Sequence, residues 1–252
     1  MAECIAMSNQ KGGVGKSTTA NAIGAGLFHK GKRVLYVDLD AQGNLSYSMG
    51  IGDDVRFSCF DILTKKTSLE SSVVQTSQGD LLPFSPNLSQ IDSFFTETGK
   101  EYRLREALES AKRVYDFIII DTPPALGILT INALTACDSV IIPSQADIYS
   151  LQGAGQLIQT IHAVQKYCNN NLFIRGFLLV RYSPRAVISR DMSDLLADTA
   201  QQLNTKLYKT KIRECVAIKE AQAKHQDIFT YNPKSNAAED YGNLISEIFG
   251  EE

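Results

Sequence analysis

No cysteines in this 252-residue sequence are spaced to hold a metal. The five thiols, Cys4, Cys59, Cys137, Cys168 and Cys215, are odd in number and scattered, with no CxxC and no Cys/His pairing. They read as small buried or half-buried side chains in a reducing compartment. No apolar run is long enough to span a bilayer. Met1-Ala2-Glu3 leads straight into an apolar segment, so the chain is expected to lack a secretion signal and to be cytoplasmic. An excess of one charge is missing too: 25 Lys and Arg stand against 28 Asp and Glu. There is thus no chain-wide basic footprint for nucleic acid, and any such contact must come from a local patch.

What the sequence does contain is alternation. Short β-branched runs (Cys4–Ser8, Arg33–Asp38, Gly79–Phe84, Phe117–Asp121, Ser139–Pro143, Ile174–Arg181) are separated by helical patterns at Lys16–His29, Tyr102–Ser110, Gly127–Ala136, Leu151–Tyr167, Arg190–Asn204 and Ala237–Phe249. Val34-Leu35-Tyr36-Val37 and Phe117-Ile118-Ile119-Ile120 are almost wholly apolar, as strands covered on both faces must be. The expectation is an α/β fold: a three-layer sandwich with a mostly parallel, twisted sheet and helices on both faces, built as a single domain over 1–252. The stretch Leu45–Phe57, rich in Gly, Ser and Asp, carries the weakest signal for order.

The first strand runs into Gln10-Lys11-Gly12-Gly13-Val14-Gly15-Lys16-Ser17-Thr18 and then a helix. Glycines let backbone N–H groups curl around phosphates, and a helix N-terminus adds its positive end. Lys16 supplies a point charge to the outer phosphates and the Ser17 hydroxyl a ligand for Mg²⁺, which makes the segment a P-loop. A plain glycine turn needs no Gly-Lys-Ser at its end. Two further strands end in acid. Asp38 and Asp40 flank the end of the second, and Asp121 closes Phe117–Asp121 just before Thr122-Pro123-Pro124. Carboxylates there face the ligand crevice of such a sheet, and Asp121 follows the logic of a strand-end ligand to Mg²⁺ through water.

Gln10 stands where the usual P-loop has its first glycine, and the loop carries a second lysine in the pattern K-G-G-x-G-K-S. In this it resembles the deviant Walker A ATPases, the group that holds the ParA/Soj partition proteins and MinD. The likeness continues through Val37–Asn44 (Ala41 replacing the usual proline), Gly127–Leu134, Ile141–Gln145 and Tyr231-Asn232-Pro233-Lys234-Ser235. The resemblance implies ATP and Mg²⁺ as cofactors and ATP hydrolysis as the reaction. It implies that Lys11 reaches across to a partner's nucleotide, so that ATP joins two copies in a homodimer. Lys11, Lys16 and Asp40 are then catalytic, Asp40 positioning the attacking water. Lys11 to Thr18 (with Gly12, Gly13, Val14, Gly15, Lys16 and Ser17) and Arg213 bind the nucleotide, and Ser17, Asp38 and Asp121 serve the metal.

Among such relatives, a membrane cycler would end in a basic amphipathic helix, whereas this sequence ends Leu244-Ile245-Ser246-Glu247-Ile248-Phe249-Gly250-Glu251-Glu252, which an anionic membrane repels. The P-loop begins within ten residues of Met1, so no N-terminal helix-turn-helix is expected. The short ParA branch remains: an ATP dimer that coats DNA without sequence preference, associates with the nucleoid, and is released when a ParB-like partner stimulates hydrolysis. Residues 171–225 hold ten Lys or Arg against five acids. Arg181, Arg185, Arg190, Arg213, Lys219 and Lys224 are the candidate phosphate contacts. Where the family often reads I-P-R-N-V-R-L-S-E-A-P, this sequence reads Ile212-Arg213-Glu214-Cys215-Val216-Ala217-Ile218-Lys219-Glu220-Ala221-Gln222, with the arginines shifted or lost. The alternatives are a positioning switch for a protein cargo that never touches DNA, and a regulator whose dimeric state controls another factor.

Overall fold

The computed structural model describes residues 1–183 and 187–250. Eight strands form one sheet: β1 (Glu3–Met7), β2 (Val34–Asp38), β3 (Val74–Thr76), β4 (Gly79–Leu82), β5 (Phe117–Asp121), β6 (Ser139–Ser144), β7 (Phe173–Tyr182) and β8 (Ile212–Arg213). Their order is β3-β4-β2-β5-β1-β6-β7-β8. All neighbours are parallel except β3 and β4. The helices are α1 (Lys16–His29), α2 (Asn44–Ser48), α3 (Cys59–Leu63), α4 (Arg103–Ala107), α5 (Ala111–Val114), α6 (Ile128–Ala136), α7 (Ile148–Tyr167), α8 (Val187–Gln202), α9 (Val216–Ala223), α10 (Ile228–Tyr231) and α11 (Asn236–Phe249).

Successive side chains of a strand point to opposite faces, and the two cores follow that period. Cys4, Ala6, Leu35, Val37, Ile118, Ile120, Val140 and Ile142 join Leu63, Leu104, Leu134, Leu157 and Leu196 on one face. Ile5, Met7, Val34, Tyr36, Ile119 and Ile141 join Ile23, Ala221, Leu244 and Ile245 on the other. This is the three-layer α/β sandwich expected from the sequence. On the second face α11 begins at Ser235, whose hydroxyl accepts from the Ala238 N–H at 3.2 Å. It then buries Ala237, Ala238, Tyr241, Leu244 and Ile245 at helical spacing.

Some expectations need correcting. The helix expected over Tyr102–Ser110 is only the short α4, which follows a 3₁₀ turn ending at Tyr102, and α5 begins just beyond the range at Ala111. Leu45–Phe57 is ordered at its start, because Ser46 is fastened to a buried carboxylate and accepts from the Phe84 N–H at 3.2 Å. Strands β3 and β8 and helices α3, α9 and α10 were too short for periodicity to mark.

Helix α1 lies close to the sheet because it presents glycine there. A Cβ on Gly24 would sit 2.3 Å from the ring of Tyr36, which is fully buried. Such overpacking against an aromatic ring with nowhere to go costs about 1–3 kcal/mol. Gly24→Ala is therefore expected to lower the unfolding free energy by that amount in a urea titration, seen as a lower midpoint at an unchanged denaturant slope; equal midpoints would show that the ring yields.

Candidate nucleotide site

The parallel register carries β1, β2 and β5 to one common edge. Met7 is paired with Asp121, and Asp121 with Asp38. The chain leaving β1 turns into the P-loop at this edge, beside the point where the sheet's connections change direction; that is where α/β sheets form their ligand crevice. The Asn9 amide donates to Pro143 O at 2.7 Å and accepts from the Lys11 N–H at 3.0 Å, and Gln145 Nε2 donates to Gly13 O at 3.1 Å. Gly13 and Gly15 adopt φ of 75° and 80°, the left-handed region. No side chain caps α1 after Gly15, so its first N–H groups are left for an anion. The resulting cleft of ≈ 490 Å³ is bordered by Gly12, Gly13, Gly15, Lys16, Ser17 and Thr18, and across from them by Asp40, Gln42, Asn44, Tyr47, Ser48, Pro124, Arg181, Gln222 and His225.

Charge is concentrated in its floor. Lys16 is only 6% exposed, and its Nζ donates to Lys11 O at 3.3 Å. Burial lowers its pKa, while the nearby Asp121 and Asp40 carboxylates act the other way. Asp38 is fully buried; Oδ2 accepts from the Ser46 N–H and hydroxyl at 2.8 and 2.7 Å, and Oδ1 from the Asp40 N–H at 3.2 Å. Burial pushes its pKa up to about 6 in spite of these bonds. Asp38 thus spends its oxygens on holding the Asp40 turn and α2 in place. Asp40 borders the cleft, with Oδ1 accepting from the Gln42 N–H at 3.0 Å. The turn after it closes at Gly43 (φ 64°), where a Cβ would meet Phe84 at 2.5 Å.

Asp121 is the exception. It is fully buried, and neither carboxylate oxygen has a hydrogen-bond partner among the described residues. Burial and the Asp38 charge raise its pKa well above the carboxylate range, with the neighbouring Ser17 hydroxyl and the Lys16 ammonium offsetting part. A buried, unsatisfied carboxylate next to a hydroxyl calls for a cation beyond Lys16. No group of three or more His, Cys, Asp or Glu that could hold a metal occurs among the described residues. The Ser17 hydroxyl and the Asp121 carboxylate are hard oxygen donors of the kind that fits Mg²⁺, which keeps several waters and takes further oxygens from phosphates.

Lys11 is not among the residues that line the cleft and is held within its own chain: Nζ donates to Asp147 Oδ2 at 2.5 Å and to Gln145 Oε1 at 3.3 Å. Sequence reasoning missed Gln145 and Asp147 in this role, as well as Tyr47, Gln222 and His225. These make no local pattern and meet only through folding: Gln222 Nε2 donates to Thr18 Oγ1 at 3.2 Å, and His225 Nδ1 lies 2.7 Å from Tyr47 O.

Of the candidate DNA residues, Arg181, Arg213 and Lys219 border one small cavity, and Arg190 and Lys224 lie outside it. Arg185 lies outside the described residues. Arg181 borders the cleft. Arg213 is closed on Asp240 Oδ1 at 2.6 Å and Glu239 Oε2 at 2.7 Å, and this pairing raises its pKa further. Its guanidinium borders that small cavity instead of the cleft. Arg190 is exposed on α8, which also exposes Asp191, Asp194 and Asp198. Lys219 and Lys224, on and just after α9, are exposed.

A family model described as an AAA domain matches residues 2–174. The chain is 41% identical over 252 residues to the sporulation initiation inhibitor protein Soj of Bacillus subtilis (strain 168), covering 98% of both. It is 35% identical over 254 residues to the chromosome partitioning protein ParA of Caulobacter vibrioides (strain NA1000 / CB15N), covering 98% of this chain and 94% of that one. Among solved structures it resembles cobyrinic acid a,c-diamide synthase from Mycobacterium smegmatis with bound ADP and magnesium, with a TM-score of 0.85 and 34% identity over 98% of this chain and 93% of the other.

The orphaned carboxylate has a measurable consequence. A carboxyl whose pKa is raised on folding keeps its proton where the unfolded chain has lost it. The nucleotide-free protein therefore loses stability as pH climbs above the unfolded value of about 3.9. Asp121→Asn removes that loss and is expected to raise Tm at pH 7 by about 2–4 °C in a thermal scan without nucleotide or magnesium, the difference shrinking toward pH 4. A lower Tm at pH 7 would show Asp121 to be satisfied in the folded protein.

Proposed function

This chain belongs to the ParA/Soj partitioning ATPases of the ParA/MinD superfamily, and on that footing we propose that it binds Mg·ATP, dimerises on it, and in that state binds DNA without sequence preference until a ParB-like partner stimulates hydrolysis. The observation that carries the reading is the convergence of Lys16, Asp40 and the unsatisfied Asp121 at the mouth of an uncapped, glycine-lined helix. Phosphoryl transfer asks chiefly for positioning and charge neutralisation. The P-loop amides and Lys16 take up the charge of the outer phosphates, and Asp40, held by its turn, orients the attacking water. Mg²⁺, held by Ser17 and Asp121, would add neutralisation of the phosphate oxygens. Lys11 leaves Asp147 and Gln145 to meet the partner's nucleotide, and Arg213 supports the nucleotide side from the neighbouring cavity. The setting is the cytoplasm, on the nucleoid; no helix among the described residues is long and apolar enough to cross a membrane.

For the DNA face the structure favours Lys219 and Lys224 over Arg213, whose charge is already met by two carboxylates. Few cations per copy give weak binding, and dimerisation doubles their number, so affinity should appear only with nucleotide and fall steeply with salt.

Four measurements test this. In analytical ultracentrifugation with ATP, Asp40→Ala should accumulate as a dimer and Lys11→Ala remain monomeric, while Lys16→Ala loses ATP binding in a direct titration; normal turnover by Asp40→Ala would refute the assignment of the water. In fluorescence anisotropy on two unrelated duplexes, the ATP dimer should bind both alike. Lys219→Glu with Lys224→Glu should weaken both equally and leave dimerisation intact. Absence of any binding at low salt would favour a switch acting on a protein cargo.

A further inference from the structure

A second concave site lies at the other end of the strands. Glu3 and Phe117, paired side by side, open β1 and β5, whose ends at Met7 and Asp121 reach the nucleotide cleft. The residue steps along β5 separate its two ends by about 13 Å. Around the entries to β1, β2 and β5 is a cavity of ≈ 570 Å³, within the range of small-molecule pockets. Most such pockets are walled by apolar side chains. This one is lined by four cations, Lys32 and Arg33 just ahead of β2 and Lys112 and Arg113 in α5, in a protein whose acids outnumber its Lys and Arg.

The two carboxylates in the lining are already engaged. Asp116 accepts from the Arg33 N–H at 2.8 Å, from Nε at 3.2 Å and from Nη2 at 2.8 Å. These bonds, with the charges of Arg33 and Lys32, lower its pKa to about 2. Glu3 is ion-paired with Arg175. Lys112 and Arg113 have no ion pair among the described residues. A helix of four residues has little dipole for them to complement. Cations gathered around one hollow repel one another, yet an exposed ion pair with any one of them is worth little. A ligand that meets several at once gains more, and ammonium and guanidinium groups both suit phosphate oxygens.

We propose that this hollow binds a compact polyanion, a small molecule carrying two or more phosphate groups, with Lys112 and Arg113 as its principal contacts. A DNA duplex fits less well, because its phosphates lie on the outside of a wide cylinder and rest across a hollow instead of entering it. The site is independent of the ATPase reading above, since none of its residues borders the nucleotide cleft. Its ligand and a nucleotide meet opposite ends of the same strands and bind without displacing one another.

Calorimetric titration at low salt, without magnesium, separates the two phosphate sites. Tripolyphosphate is the first probe. The wild type has two classes of site for it, and Lys16→Ala keeps the one at this hollow. In the Lys16→Ala protein, adding Lys112→Ala and Arg113→Ala raises its Kd about tenfold or more. In an otherwise wild-type chain the same two substitutions leave ADP affinity and Tm unchanged. Fructose 1,6-bisphosphate is the second probe, and the tighter of the two tells whether the phosphates arrive on an inorganic or an organic carrier. A Lys16→Ala protein that binds neither probe would overturn the proposal. So would Kd values that stay within twofold after Lys112→Ala and Arg113→Ala, whether or not those changes lower the salt slope of DNA binding by about one per cation and so assign these residues to the DNA face. A wild type with a single class of site, abolished by Lys112→Ala and Arg113→Ala, would sustain this site and count instead against the P-loop as the phosphate cradle.

Discussion

One ammonium and three carboxylates, Lys16 with Asp38, Asp40 and Asp121, are buried together where β1, β2 and β5 end, and the local architecture is arranged around their charge. Desolvation penalises each ion singly, while their mutual attraction and the surrounding N–H groups offset part of that penalty. The offset is uneven. Asp38 receives three hydrogen bonds and becomes a fastening for the turn and helix that follow it. Asp121 receives none among the described residues. The parallel register places these two acids side by side, so their repulsion is built into the sheet and is relieved by adding positive charge.

The same fastening links the site to the second face of the sheet. Asp38 holds Ser46, and α2 in turn meets the end of α9 through Tyr47 and His225. Gln222 joins α9 to the start of α1. The P-loop helix, the Asp40 turn and α9 therefore share contacts before any ligand is bound.

Much of this was legible in the sequence, and for identifiable reasons. Strands such as Phe117–Asp121 announce themselves because both faces are covered and every position is apolar. The P-loop announces itself because left-handed turns at Gly13 and Gly15 admit few other residues. What escaped was brought together by folding. Asp147 lies far along the chain from Lys11, and nothing local marks it as the lysine's counter-ion. Arg213 counted as a free cation in a tally of charge, since its partners Glu239 and Asp240 belong to an acidic segment of the sequence. Asp38 and Asp40 form one motif in sequence, yet one carboxylate is turned inward as a fastening and the other borders the cleft. The short β3 and β8 are strands because a neighbour's edge pairs with them, and no periodicity builds up over two or three residues.

Those two short strands bear on how copies of the molecule can meet. They are the outermost members of the sheet, three residues at one side and two at the other. An edge that brief offers a neighbouring chain only a few main-chain hydrogen bonds, too little for continuous strand-on-strand addition. Crowding many copies onto one surface thus carries small risk of fusing their sheets into a fibre, and reversible association is left to side chains.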